Sequence, residues 1–360
     1  MRSFGAQLCF ALLFVACVSR AQDTTASGQS QTSAPKMPGQ ISQTEAAALE
    51  AGLVTNPDNL TARESLIQYY FQEMVESSSS DLDEKRQKHI FWLIEHHPES
   101  ELAGSPEAEL MPIGFGANME GYQRGRQLWM QQVDSHQNDQ RILRNAAQFL
   151  QLAESKVARD LLEKAWAIDP GDTLTTSSLA QSYDQEHAYL SSPEAKKNLA
   201  KKALSVRERG MENSAGEERF YELGRVATSA LEAGEPEKAQ QYATELLQIA
   251  PKFRSNWNYG NAILQGNVVL GRIALQRGDI AGAKEHLLAA GQTPGSPQLD
   301  SFGPNMTLAK ELLEKGERDA VLAYLQSCAK FWEMAGDNLQ AWTATIKGGG
   351  IPDFGAHLYY

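Results

Sequence analysis

The stretch from Phe220 to Pro251 decides the fold, and it reads FYELGRVATSALEAGEPEKAQQYATELLQIAP. Gly234-Glu235 divides it in two, because glycine can take the left-handed conformation that ends a helix and an acid favours the start of the next. Pro251 ends the second segment, since proline lacks an N–H and clashes with the preceding turn. This second segment carries apolar residues at the i, i+3, i+4, i+7 spacing of one helix face. The stretch therefore predicts two antiparallel helices joined by a tight turn.

The same pattern recurs in four windows of about 34 residues, which begin at Asp139, Phe220, Leu264 and Phe302. The eighth, twentieth and twenty-seventh positions carry mostly small residues, which let two helices approach closely. In window order these positions hold Ala146, Ala227, Gly271 and Ala309, then Ala158, Ala239, Ala283 and Val321, then Ala165, Leu246, Ala290 and Cys328. The glycine–acid turn returns as Gly278-Asp279 and Gly316-Glu317.

These positions resemble those of the tetratricopeptide repeat (TPR) over roughly residues 44–335. The resemblance implies an all-α fold, a TPR-like solenoid in which about six antiparallel helix pairs stack into a right-handed superhelix with a concave face. It extends to uncharacterised exported bacterial TPR proteins, for which the family implies no activity. We expect a C-terminal capping helix over 337–346, with Asp337 as its N-cap.

Less regular segments are expected between the clear windows. Helices over 59–73 and 83–97 predict one degenerate pair, followed by a long loop over 98–120 that is rich in Pro and Gly. A second degenerate pair begins near Thr173, and a loop over 186–192 delays its second helix to Pro193. The domain prediction is a helical repeat domain over 44–347 and a tail over 348–360 that packs on the last repeat.

The N-terminus predicts export. Residues 1–21 resemble a signal peptide, with an apolar run too short for a membrane span and a cleavage site before Gln22. Alternatively, the segment ending at Cys17 resembles a bacterial lipobox, which would leave Cys17 lipidated. Residues 22–43 are small, polar and poor in aromatics, so they predict a disordered linker. We expect a periplasmic or secreted protein, or else a membrane-anchored lipoprotein.

The charge and motif content points away from nucleic-acid binding and catalysis. The net charge is -12, whereas nonspecific nucleic-acid binding needs clustered Lys and Arg. The chain has no GxSxG, Walker or HExxH motif. His89 and His96 do not predict a metal site, because the helix rises about 10.5 Å between them; we expect exposed histidines near a helix end. The prediction is no enzyme, no metal and no cofactor.

Two segments are candidates for a binding site on the concave face. The first is an amide-rich stretch whose side chains suit a peptide backbone, and its residues are Asn256, Trp257, Asn258, Tyr259 and Asn261. The second is the loop over 293–306, which interrupts two good repeats and offers Gln298, Asp300, Ser301 and Asn305. Alternatively, this loop is structural and packs Leu299 and Phe302 over the adjacent helices.

Three functions remain open from the sequence. A non-catalytic scaffold that binds a protein or peptide of unknown identity in the bacterial cell envelope is favoured by the repeat pattern. The alternative is a carbohydrate- or small-ligand-binding protein, or an enzyme, with its site at 256–261 and 293–306. The third is a structural envelope lipoprotein, which requires lipidation at Cys17 and is the only case in which we expect membrane attachment.

Overall fold

The computed structural model describes residues 41–77, 80–112, 117–212 and 214–359. In this part of the chain there are sixteen α-helices and no strand. The chain divides into two compact units, Met1–Asp169 and Pro170–Tyr360, which we call the N-terminal unit and the C-terminal unit. The predicted signal peptide and Cys17 lie outside the described residues. No helix within them is long and apolar enough to cross a membrane.

The described part of the N-terminal unit contains six α-helices. They are α1 Gln43–Thr55, α2 Leu60–Ser77, α3 Ser80–His96, α4 Met119–Ser135, α5 Gln140–Leu150 and α6 Ser155–Ile168. Helix α1 begins at the end of the predicted linker because Ser42 and Glu45 form a capping box, in which each side chain bonds the other's main-chain N–H. Short 3-10 turns at Glu101–Gly104 and Pro106–Ala108 occupy the predicted long loop.

The C-terminal unit contains ten α-helices. They are α7 Thr173–Tyr189, α8 Pro193–Met211, α9 Gly216–Glu232, α10 Pro236–Ile249, α11 Tyr259–Gln276, α12 Ile280–Ala290, α13 Pro297–Phe302, α14 Thr307–Glu314, α15 Arg318–Cys328 and α16 Asn338–Lys347. Helix α7 runs on to Tyr189, so the predicted loop over 186–192 is mostly wrong. The main-chain N–H of Leu190 still donates to Glu186, and only three residues separate α7 from α8.

The predicted all-α arrangement of paired helices is confirmed. The four sequence windows correspond to α5–α6, α9–α10, α11–α12 and α14–α15, and the degenerate pairs to α2–α3 and α7–α8. Every residue at the eighth, twentieth and twenty-seventh window positions is buried. Gly234 and Gly278 have φ values of 77° and 80°, as the predicted turns require. Asp279 caps α12 through the N–H of Gly282, whereas the side chain of Asp337 makes no cap bond to α16.

The expectation of an exposed His89 is wrong. His89 is 4% exposed, because Glu50 of α1 and Tyr70 of α2 pack against its ring. Its Nε2 lies 3.0 Å from Glu50 Oε1, and its Nδ1 lies 3.4 Å from the guanidinium of Arg63. A neutral ring that donates from Nε2 and accepts at Nδ1 satisfies both contacts. Sequence spacing could not reveal this burial, since the covering residue Glu50 is on another helix.

His89 predicts a loss of stability in acid. Burial lowers the pKa of His89 below its usual 6.5, so the unfolded chain binds a proton that the folded chain resists. The stabilisation is present above about pH 6.5 and is lost as the pH falls through the folded pKa, at about 1.4 kcal/mol per unit of lowering. We expect thermal unfolding followed by circular dichroism to show a smaller acid-induced loss in His89→Gln. His96→Gln, at the exposed end of α3, serves as the control; an equal effect of both changes would contradict the assignment.

Candidate ligand cavity in the C-terminal unit

A cavity of about 740 Å³ lies among α7, α8, α9 and α11 of the C-terminal unit, and we call it the inner cavity. On α9 and on α11, helix periodicity places the residues that line the cavity on one face of the helix. On α9 they are Tyr221, Arg225, Thr228, Ser229 and Glu232, and on α11 they are Asn261, Leu264, Gln265, Val268, Val269 and Arg272. These follow the i, i+4, i+7, i+11 positions of one helix face. The face of α11 is mixed, with polar groups placed among apolar ones.

An aromatic pair forms one edge of the inner cavity. The rings of Tyr221 and Trp257 are stacked, with centroids 5.8 Å apart, and Trp257 remains 52% exposed. Asn256 does not itself line the cavity, but its hydrogen bonds hold this edge in place. Its amide nitrogen donates to the hydroxyl of Tyr221 at 2.7 Å and to Glu217, and its Oδ1 accepts from the N–H of Asn258 at 2.8 Å. The edge is therefore held in place by hydrogen bonds, and Asn256 acts as a support.

The amide of Asn261 ties the 293–306 segment to α11. Asn261 is 3% exposed, and its Nδ2 donates to Asn258 Oδ1 at 2.9 Å and to Gln298 Oε1 at 3.0 Å. Its Oδ1 accepts from the hydroxyl of Ser296 at 2.7 Å. Both amide hydrogens of Asn261 are therefore used in these two hydrogen bonds. Among the described residues the Nδ2 of Asn258 and the Nε2 of Gln298 have no hydrogen-bond acceptor, and both residues line the cavity.

The predicted site residues are divided between the cavity and its supports. Those that line the inner cavity are Trp257, Asn258, Asn261, Gln298 and Asn305. Tyr259 packs against the hydrophobic core instead. Asp300 accepts from the main-chain N–H of Glu333 at 2.9 Å, and neither Asp300 nor Ser301 is among the lining residues. The 293–306 segment forms the short helix α13, and its Leu299 is buried in the core while Gln298 faces the cavity.

The sequence did not predict an ion-pair network that Arg272 forms beside the inner cavity. The guanidinium of Arg272 contacts Glu232 Oε1 at 2.6 Å and Glu311 Oε1 at 2.9 Å, and its side chain is 15% exposed. Burial raises the pKa of Glu311. His187 Nε2 lies 3.9 Å from Glu232 Oε2, and burial lowers the pKa of His187. Helical spacing from Asn261 is the one signal that places Arg272 on this face.

The remaining charges differ in how they are paired. Arg207 is 4% exposed and makes two bonds to Asp184, of 2.5 and 3.1 Å, and one to the hydroxyl of Ser229 at 2.7 Å. Lys196 and Arg225 have weaker partners among the described residues. Lys196 Nζ lies 5.8 Å from the ring centroid of Tyr359, and Arg225 lies 3.7 Å from Glu222. The lining thus keeps one cation, Lys196, with no close carboxylate among the described residues, and a second, Arg225, in a long ion pair.

The C-terminal tail forms another wall of the inner cavity. Phe354 is 1% exposed and packs on Trp342, with centroids 5.0 Å apart. The His357 ring lies 4.9 Å from Trp332, and its main-chain carbonyl accepts from the N–H of Met306 at 2.8 Å. Beyond this anchor, Leu358 and Tyr359 line the cavity. The Leu358 carbonyl accepts from the hydroxyl of Thr307 at 3.4 Å.

The described residues contain no group of three or more His, Cys, Asp or Glu side chains placed to hold a metal ion. Cys328 is fully buried, and burial raises the pKa of its thiol to about 12. A thiol in that state is a packed core side chain. The polar groups of the inner cavity are therefore suited to hydrogen bonding and ion pairing with a ligand.

Comparison with known proteins adds little to this geometry. No protein-family model and no curated protein matches the sequence. Among solved structures, the human IFIT1 dimer with PPP-AAAA is similar over 80% of this chain and 68% of that chain, at 15% sequence identity. The TM-score is 0.38, which is too low to support an inference about fold or ligand.

Proposed function

We propose that this chain is a non-catalytic scaffold that binds a peptide segment of a partner protein in the inner cavity. One observation carries the proposal: the cavity already accommodates a polypeptide segment, its own residues Leu358 and Tyr359. That segment is held partly through main-chain carbonyls, those of His357 and Leu358. Main-chain groups are common to all peptides, so the same kind of contact is open to a partner.

The rest of the cavity supports the same proposal. Its volume of about 740 Å³ is within the range typical of ligand sites. The uncommitted amide hydrogens of Asn258 and Gln298 suit peptide carbonyl groups. The exposed indole of Trp257 offers a rigid apolar surface of the kind enriched at binding hot spots.

A second candidate is a carbohydrate or another small polar ligand. The observation that favours it is the exposed Trp257 ring beside the free amide donors of Asn258 and Gln298, since sugar rings stack on aromatic faces while their hydroxyls accept hydrogen bonds. An enzyme acting on such a ligand would use the same site, at 256–261 and 293–306. The lining carboxylates Glu232 and Asp184 are held in ion pairs with arginine, which supports binding over catalysis.

We also propose that the protein acts in the bacterial cell envelope, either periplasmic or secreted. The support is the signal-like sequence of residues 1–21. A structural envelope lipoprotein is the alternative, with Cys17 lipidated. Replacing Cys17 by serine in the full chain and fractionating cells separates the two, because only a lipoprotein would leave the membrane fraction.

A display experiment tests the ligand class. The mature chain, residues 22–360, is screened against a random peptide display library and, in parallel, against a glycan array. We expect peptides to be enriched and their binding to fall at least tenfold in Trp257→Ala. Tyr189→Ala, which removes another exposed aromatic outside the cavity lining, should have no effect. Glycan binding lost in Trp257→Ala would favour the second candidate, and binding of neither class by the folded chain would contradict the proposal.

A further inference from the structure

The C-terminal tail of the C-terminal unit has an anchored part and an outer part. The anchor consists of Phe354, buried against Trp342, and His357, placed between Trp332 and Trp342. The outer part consists of Leu358 and Tyr359, and Tyr359 is 57% exposed. A side chain that buries so little area loses little when it leaves its place. The outer part of the tail can therefore exchange while the anchor stays packed.

The contacts of this outer part define a subsite inside the inner cavity. Tyr359 lies over the ammonium group of Lys196, at 5.8 Å from the ring centroid, and Leu358 bonds the hydroxyl of Thr307 through its carbonyl. Leu358 packs against the hydrophobic cluster that contains Leu299, Trp332 and Trp342. The tail thus presents an aliphatic side chain and then an aromatic one. The aliphatic Leu358 meets an apolar surface, and the ammonium group of Lys196 attracts the face of the Tyr359 ring.

We propose that the inner cavity takes peptides that contain an aliphatic–aromatic pair, and that Leu358–Tyr359 is a built-in competitor for this subsite. The inference rests on the proposed peptide-binding function and names the chemistry of the peptide. A segment tethered to its own site acts at a high effective concentration, in the millimolar range for short connections. A partner peptide must therefore displace the tail, and its apparent affinity is reduced by the fraction of molecules in which the subsite is occupied.

A truncated chain tests this directly. Residues 358–360 are deleted, which leaves the Phe354 and His357 anchor in place, and circular dichroism checks that the fold is kept. The probe is a fluorescein-labelled synthetic peptide of this chain's own C-terminal sequence, FGAHLYY. Fluorescence anisotropy should show the probe binding to the truncated chain at least about tenfold more tightly than to the complete chain. The same probe with both tyrosines changed to serine should bind weakly to either.

Matched lysine variants locate the subsite. In the truncated chain, Lys196→Ala should weaken the probe by about twofold to fivefold, the range expected for loss of one cation–π contact. Lys201→Ala, an exposed lysine on the same helix, should leave binding unchanged. Should the truncation disturb the fold, the complete chain with Leu358→Ser and Tyr359→Ser replaces it.

Two results would overturn the inference. One is equal binding of the probe to the truncated and complete chains, and the other is equal binding of the serine-substituted probe. Either result leaves the proposed function standing if the display screen yields cavity-binding peptides of other chemistry. If that screen yields no peptide at all, both proposals fail together, and the glycan result then decides the ligand class.

Discussion

Replacing Arg272 by methionine should destabilise the C-terminal unit by about 3–5 kcal/mol, the cost of leaving buried charge without its partner. Arg272 is the counter-charge of both Glu232 and Glu311. Methionine fills similar space but leaves two carboxylates facing each other across it. Urea unfolding followed by circular dichroism measures the loss, which should be largest above neutral pH.

The pH dependence of this variant has a defined sign. Burial raises the pKa of Glu311, so acidification that protonates this carboxyl removes one of the two like charges. The destabilisation should therefore shrink as the pH falls. Arg277→Met is the control, since Arg277 is half exposed and lies 3.9 Å from Glu237; we expect at most about 1 kcal/mol there. Equal losses of unfolding free energy in Arg272→Met and Arg277→Met would contradict a stabilising role for the ion pairs of Arg272 with Glu232 and Glu311.

Gly260→Ala should lower the free energy of unfolding by about 3 kcal/mol. The backbones at Gly260 and Gly295 approach so closely that there is no space for a methyl group between them. A Cβ at position 260 would lie 1.8 Å from the carbonyl oxygen of Gly295 and 2.5 Å from its carbon. Backbone atoms cannot rotate away as side-chain ends do. The 293–306 segment must then separate from α11, and the hydrogen bond from Thr293 to the Gly260 carbonyl, 2.8 Å long, is lost.

The effect of Gly260→Ala on ligand binding follows from the same displacement. Movement of the segment carries Ser296 and Gln298 away from Asn261, so peptide affinity should fall along with stability. Gly52→Ala is the control, as a helical glycine with no atom within 4 Å of its would-be Cβ. We expect that change to be neutral or to stabilise by up to about 1 kcal/mol. A neutral outcome for Gly260→Ala would show that the segment is not held as described.

The helix pairs were predictable from sequence because their signal is local. Ala239 and Ala283 recur at a fixed spacing, and glycine at 234 and 278 marks the turn between helices. Small residues are needed wherever two helices approach closely, so each repeat carries its own evidence. The loop predicted after α7 was too long. The residues from Glu186 onward contain no strong helix stop signal before Leu190, so the helix continues as far as Tyr189.

The inner cavity was only partly predictable. Trp257, Asn258 and Asn261 were found because an amide-rich turn is unusual for a helix start. Asn256, Tyr259, Asp300 and Ser301 were grouped with them by proximity in sequence, although the structure uses Asn256 and Asp300 as supports. Arg272 and Glu232 come from different repeats, and on a helix each resembles an ordinary surface charge. Only their packing identifies them, and the same holds for the tail residues at 358 and 359.

Photo-crosslinking at the cavity edge tests the central claim most directly. The photoreactive amino acid p-benzoylphenylalanine is incorporated in place of Trp257 or, as a control, in place of Tyr189, and each chain is irradiated with a biotinylated peptide from the display screen. If the inner cavity is the ligand site, the peptide is crosslinked at position 257 and not at 189, and excess unlabelled peptide abolishes the product. A peptide that still binds but crosslinks at 189, or equally at both positions, would contradict the account.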